Sequence, residues 1–169
     1  MKTLLKLSLA ATAVITAFGA QAQEFPSKDK TVTLVVPYAA GGPTDRVARD
    51  LAEALRKPLG VSVVVDNAAG AGSTIGTAKA ARATPDGYTL LLNHISMSTM
   101  PTMYRKLAFN VVNDFEYLGI INDVPMTLIA KPSMAANNYK ELSTWINQNK
   151  GKINLGNAGQ GSASHLCGL

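Results

Sequence analysis

The sequence predicts an α/β fold built on a mostly parallel sheet. Two observations carry this expectation. Short apolar runs rich in β-branched residues alternate with stretches of helical periodicity, the pattern of successive βα units. Glycine-rich loops recur between the two kinds of segment, at residues 39–45, 68–76 and 156–165, where a strand must turn tightly into a helix.

The chain opens with a different signal. Met1 to Lys6 carries Lys2 and Lys6, residues 7–20 are uncharged and rich in Ala, Leu, Val and Ile, and Ala20-Gln21-Ala22 fits the small-x-small cleavage rule. Residues 1–22 therefore read as a secretory signal peptide, with Gln23 the first mature residue. A spanning helix needs roughly 20 apolar residues, more than this run supplies, and no later stretch comes closer, so the mature protein is expected to be soluble.

The elements follow in order. Residues 32–36 (Val-Thr-Leu-Val-Val) are apolar on both faces, as a buried parallel strand requires. After Pro37 the loop Tyr38-Ala39-Ala40-Gly41-Gly42 leads to Pro43, which suits a first helical turn because its missing N–H costs nothing there. Val47, Leu51 and Leu55 recur at helical spacing, and Pro58 and Gly60 are expected to stop the helix. Residues 61–65 form the second strand, 66–72 a loop, and Ser73 or Thr74 opens a small-residue helix to about Ala83. Pro85-Asp86-Gly87 is a turn and residues 88–92 the third strand. A short helix is expected near residues 101–104, with further strands at 115–121 and 126–130. Asn138 can cap a helix to about Asn149 with Leu142, Trp145 and Ile146 inward, ended by Gly151. Residues 153–155 are the last expected strand, and Ser162 or Ser164 begins a helix about one turn from Leu169. That abrupt ending reads as a truncation.

Charge and composition exclude several functions. The full chain carries +5; without Lys2 and Lys6 the balance is 14 minus 11, or +3. This permits attraction to small anions, but the basic residues are scattered, whereas nucleic-acid binding wants them clustered. Cys167 is the single cysteine, so there is no disulfide framework despite export. His94 and His165 are the two histidines, and neither has a second ligand at metal spacing. Met97, Met100 and Met103 recur every three residues, as packing residues on a helix do. Gly70-Ala71-Gly72-Ser73-Thr74-Ile75-Gly76 has G-x-G-x-x-x-G spacing rather than the dinucleotide fingerprint. Gly159-Gln160-Gly161-Ser162-Ala163 is not a nucleophile elbow, and Ser164-His165, as helix neighbours, point different ways. No catalytic residue, metal or cofactor is assigned. What remains is a set of loops that expose backbone N–H groups at helix N-termini, chemistry suited to a carboxylate or phosphate.

At these loops the sequence resembles a known family. Val32-Thr33-Leu34-Val35-Val36-Pro37-Tyr38-Ala39-Ala40-Gly41-Gly42-Pro43-Thr44-Asp45 is similar to the first strand and binding loop of the Bug, or tripartite tricarboxylate transporter (TctC-like), substrate-binding proteins. Val63 to Asn67 with Gly70-Ala71-Gly72 and Gly76, then Pro85-Asp86-Gly87-Tyr88-Thr89-Leu90-Leu91-Leu92, Asp114-Phe115, Lys131-Pro132-Ser133 and Gly161-Ser162-Ala163-Ser164-His165-Leu166, continue the match in order across essentially the whole mature chain. Pro43, where the family more often has a small residue, and Cys167, where Ala is common, depart from it.

The resemblance implies a periplasmic two-domain clam-shell of the periplasmic-binding-protein type that captures a small organic acid and passes it to the membrane permease subunits of a tripartite transporter. Members are about twice this mature length. Residues 23–123 would be the N-terminal part of the first domain and 124–169 the start of the second. Carried onto matching positions, Tyr38, Ala40, Gly41, Thr44 and Asp45 would form one wall of the ligand site and Ser162, Ala163, Ser164 and His165 the other. Two alternatives stay open: an exported α/β hydrolase-like enzyme, and a ligand-sensing partner of a signalling receptor.

Overall fold

The computed structural model describes residues 25–169; the expected signal peptide and its cleavage site lie outside the described residues. Three parallel strands form the sheet: β1 (Val32–Val36), β2 (Val63–Asn67) and β3 (Thr89–Leu91), in the order β2-β1-β3. Val32 lies opposite Val63, and Thr33 opposite Thr89. The middle strand is the most buried, which is why its sequence is apolar on both faces.

Strand alternation sends Val32, Leu34 and Val36 to one face. There they meet Ala48, Leu51, Ala52, Leu55 and Leu59 of helix α1 (Pro43–Leu59). Helix α1 starts at Gly42 in extended conformation with Pro43 in its first turn, and it carries Asp45 at its positive end and Arg56 and Lys57 at its negative end. Pro58 does not stop it. The helix runs through Pro58 and is closed by Gly60, whose left-handed φ of 66° turns its N–H back to the Arg56 carbonyl.

A 3-10 turn (Ala71–Ser73) precedes α2 (Thr74–Ala81), which packs on β1 and β3. Helix α3 spans Ser96–Met103, longer and earlier than the segment expected at 101–104. Its Met100 is fully buried with Ala78 and Phe109 in a second core, while Met97 and Met103 are half-buried. The methionine spacing is thus a packing pattern. Helix α4 (Tyr139–Gln148) is capped by Asn138, as its sequence predicts: Asn138 Oδ1 accepts from the Glu141 N–H at 3.0 Å, and Glu141 Oε1 accepts from the Asn138 side-chain Nδ2 at 2.7 Å. Leu142 and Trp145 are half-buried, but Ile146 is exposed. Helix α5 is short (Ala163–Leu166) and leaves Cys167 exposed at its end.

Three expected strands do not form. Residues 115–121, 126–130 and 153–155 carry no strand pairing; Phe115 packs against Phe109, but most of the other apolar side chains stand in the open, with Ile120 at 90% and Ile129 at 88% exposure. A strand needs a neighbour for its backbone donors and acceptors. Among the described residues, none lies alongside these segments in a ladder.

Candidate functional site

The strand order places the site. From β1 the chain goes through α1 to β2 on one side, then crosses back through α2 to β3 on the other side of β1. The loops that leave β1 and β3 therefore diverge. In parallel α/β sheets the crevice beyond the strands' carboxyl ends at such a switch point is where ligands bind.

Tyr38 enters this crevice from the end of β1, and Asn93 and His94 from the end of β3. Ser96 comes from the start of α3, and Ser73 and Thr77 from the start of α2. Asn93 is the hub. Its Oδ1 accepts from Tyr38 Oη at 2.8 Å, from Ser96 Oγ at 2.9 Å and from the His94 N–H at 2.8 Å. Its Nδ2 donates to Thr77 Oγ1 at 3.0 Å, whose own proton goes to the Ser73 carbonyl at 2.8 Å. Ser73 Oγ donates to Ser96 Oγ at 3.0 Å, and Ser96 Oγ also meets Tyr38 Oη. The His94 ring stacks on Tyr38 with centroids 4.2 Å apart and planes 12° from parallel. Burial raises the Tyr38 phenol above its ordinary value and holds the His94 imidazole below its own, because both charged forms lose solvation there. Ser96 is fully buried, with its hydroxyl committed to Asn93, Ser73 and Tyr38.

The first glycine-rich loop has a different arrangement from the expected one. Tyr38 belongs to the crevice, Ala40 and Gly41 are exposed, and Thr44 is half-buried. Asp45 is only 3% exposed. Its Oδ2 accepts from Arg49 Nε at 3.0 Å and from the Gly41 N–H at 2.8 Å. Those two bonds, the Arg49 one foremost, hold its carboxyl down to about 2. Arg49 also reaches Asn67 Oδ1 at 3.4 Å, and Asn67 Nδ2 donates to the Tyr38 carbonyl at 3.2 Å. The Gly41 N–H, expected to face a ligand, is thus spent inside the protein, and Asp45 ties the loop to the end of β2.

The opposite loop is likewise knitted together. Ser162 is 2% exposed and caps α5 by accepting from the His165 N–H at 3.2 Å. Ser164 Oγ accepts from the Ala158 N–H at 3.0 Å, and His165 Nδ1 accepts from the Gly161 N–H at 3.3 Å; Ala163 is half-buried at the helix start. Among the described residues no hydrogen bond joins this group directly to Tyr38 or Asp45. Helix α3 links them. One turn beyond Ser96, Thr99 Oγ1 donates to the Gly161 carbonyl at 2.7 Å, and Tyr104 Oη donates to the Gln160 carbonyl at 3.1 Å. Gly72 and Gly159 meet backbone to backbone at the same seam; a Cβ on Gly159 would lie 2.7 Å from Gly72 Cα.

Sequence reasoning missed Asn93, His94, Ser96, Ser73 and Thr77. Their signal was positional: each lies just beyond the carboxyl end of β2 or β3. Reading it requires the strand order, which the sequence pattern does not contain.

Comparison with known proteins identifies the family and the fold. Residues 47–168 match the profile of the tripartite tricarboxylate transporter family receptor, TctC. The chain is 42% identical over 158 residues to a UPF0065 protein of Agrobacterium vitis, covering 93% of this chain and 45% of the relative. It is 34% identical to BugT of Bordetella pertussis, covering 86% and 44%. Among solved structures, the periplasmic binding protein BugD superposes with a TM-score of 0.79 at 52% identity, over 84% of this chain and 48% of that one. MatC of Rhodopseudomonas palustris with bound malate gives 0.76 at 34% identity, over 82% and 47%. The chain thus spans about half the length of the relatives it matches, and no helix among the described residues is long and apolar enough to cross a membrane. With a doubly wound parallel sheet, a polar crevice at its switch point and a sequence match across most of its length, the chain belongs to the tripartite tricarboxylate transporter receptor family.

Proposed function

We propose that the protein is an exported solute-binding protein that captures a small organic acid in the periplasm and delivers it to the membrane permease of a tripartite transporter. The observation that carries this reading is the switch-point crevice. Its hydroxyl, amide and imidazole groups are supplied by three loops and fixed by one network, convergent polar groups of the kind that orient a small ligand. Malate is bound in MatC, and a further structural relative from R. palustris holds adipate. On this reading residues 23–123 belong to the first unit and 124–169 to the beginning of the second, with the loop after β1 supplying one wall of the site and the loop that carries Ser162 to His165 the other.

The test is a thermal melt and calorimetric titration of the protein against a panel of di- and tricarboxylates that includes malate and adipate. An upward shift by one acid, with the acid recovered unchanged, supports the reading. No shift by any acid, or consumption of an ester or amide substrate, overturns it. Export is tested separately, by N-terminal sequencing of periplasmic material, which should begin at Gln23.

A further inference from the structure

Helix α2 carries two different stripes. Ser73, at its N-cap, and Thr77 bond the crevice network. One residue on, about 100° round the helix, Thr74, Ala78 and Arg82 recur at helical spacing and border a groove of about 290 Å³. The other wall of the groove is the segment 106–109, which follows α3. No residue of the crevice network lines it.

The groove is amphipathic. Its apolar part is built on Ala78 and Phe109, at 8% and 9% exposure, which belong to the core around Met100, with half-buried Leu107 beside them. Phe109 is held from behind by Phe115, edge to face with ring centroids 6.1 Å apart. Its charged groups are Arg82 and Lys106, both exposed, and the lining holds no acid. Elsewhere on these elements the cations are engaged: Lys79 with Asp66, and Arg49 with Asp45. Among the described residues Arg82 and Lys106 make no ion pair. An apolar surface continuous with a core, bordered by a few charged donors, is the composition of a small-ligand site, and the volume lies at the lower end of such sites, which begin at about 300 Å³.

We propose that this groove is a second binding site, separate from the crevice, for a small monocarboxylate with an apolar body. The two halves of the groove choose that ligand together. The cations call for an anion, and the planar fork of Arg82 matches a carboxylate with two parallel bonds while Lys106 adds a point charge. The Ala78, Leu107 and Phe109 surface calls for hydrocarbon, because a compact polyanion placed there would lose solvation against apolar side chains without a partner. A carboxylate on a ring-sized or branched hydrocarbon satisfies both. The proposal stands independently of the solute-binding reading of the crevice.

The test is a titration with cyclohexanecarboxylate, followed by NMR at the Ala78 and Leu107 methyls and the Arg82 Nε–H. Acetate, which lacks the body, and cyclohexanecarboxamide, which lacks the charge, are the controls. The expected result is saturable shifts at these groups with a Kd of about 1 mM or tighter, the affinity that about ten non-hydrogen atoms give at modest efficiency, and binding of each control at least about tenfold weaker. Arg82→Gln and Lys106→Gln, both at exposed positions, should each weaken cyclohexanecarboxylate by about tenfold, the worth of one charge-assisted bond. Lys79→Gln removes the same charge from a neighbouring stripe of α2 and should leave the Kd unchanged. Shifts that grow without saturating, equal binding of the carboxamide, or a loss in Lys79→Gln as large as in Arg82→Gln would overturn the site. Competition by malate for these same signals would merge the groove with the crevice and overturn it as well.

Discussion

Substituting Gly72 by alanine tests whether the seam between residues 70–72 and 159–161 stabilises the molecule. Gly72 has a left-handed φ of 59°, and a Cβ there would sit 2.0 Å from Tyr104 Oη and 2.7 Å from the Gln160 carbonyl oxygen. Two costs add. A non-glycine residue in this backbone region costs about 1 to 2 kcal/mol. Tyr104 must also move, which gives up its hydrogen bond to Gln160, worth about 1 kcal/mol. The expected loss is about 2 to 3 kcal/mol, or about 5 to 10 °C in melting temperature for a chain of this size. Gly60→Ala is the internal control. Its φ of 66° is similar, but nothing lies within 4 Å of the added methyl, so it carries the backbone cost alone, about 1 to 2 kcal/mol. Urea unfolding of both variants isolates the contact contribution as their difference. Amide exchange of Ser162 and His165 reports the seam directly, because the Ser162 N–H is bonded to Gly159 and the His165 N–H to the Ser162 cap. Equal destabilisation by the two variants, with unchanged exchange at Ser162, would refute the seam as a stabilising contact.

Three further perturbations have definite outcomes. Gly41→Val should weaken organic-acid binding and stability more than Lys79→Ala: Gly41 has φ 80° and its N–H holds Asp45, whereas the half-exposed Lys79–Asp66 pair is worth about 0 to 1 kcal/mol; equal losses by calorimetry would contradict this. Asp45 has a folded carboxyl value of about 2 against an ordinary 3.8, so its contribution is complete above the ordinary value and lost as pH falls toward the folded one. Asp45→Asn should therefore lower the urea midpoint at neutral pH and flatten the acid limb, and parallel acid limbs in the two proteins would refute it. Asn138→Ala removes the α4 cap, with an expected cost of about 1 kcal/mol and faster exchange at Glu141; unchanged exchange there would show that the cap does not hold the helix.

The parts of this fold that local chemistry decides are legible in the sequence. β1 is apolar on both faces because it is central. Helix α1 begins where Gly42 and Pro43 allow it, and Asn138 announces α4. Non-local decisions were misread. Residues 115–121 and 153–155 have strand composition, but strands form only when a partner is present, and composition says nothing about partners. Pro58 and Gly60 were both expected to end α1; the helix runs through Pro58 despite the cost of proline there, while Gly60 supplies the left-handed closure as expected. The site shows the same division. Tyr38 and the first-loop residues were proposed because the family resemblance covers the loop after β1. Asn93 and His94 were not, because their importance comes from β3 lying beside β1 rather than beside β2.

The internal use of the Gly41 N–H changes how recognition must work. A carboxylate ligand was expected to be gripped by the first loop, but that loop already holds a carboxylate of its own, Asp45, buried at the N-terminus of α1. Asp45 occupies the favourable end of the helix dipole and fixes the loop against β2 through Arg49 and Asn67. The first loop therefore positions Tyr38, and on the solute-binding reading the polar contacts move across to Asn93, His94 and Ser96. Helix α3 then acquires a double role. Ser96 and Thr99, three residues apart, share one helix face; one bonds the crevice network and the other bonds the Gly161 loop. The two hydroxyls thus connect the crevice network to the loop that bears Ser162 within one helical turn. On the solute-binding reading, a crevice of neutral dipoles joined in this way suits a protein that must release what it captures. A fixed buried cation would hold an organic acid more tightly, but it would have to be desolvated at each binding and left unpaired at each release.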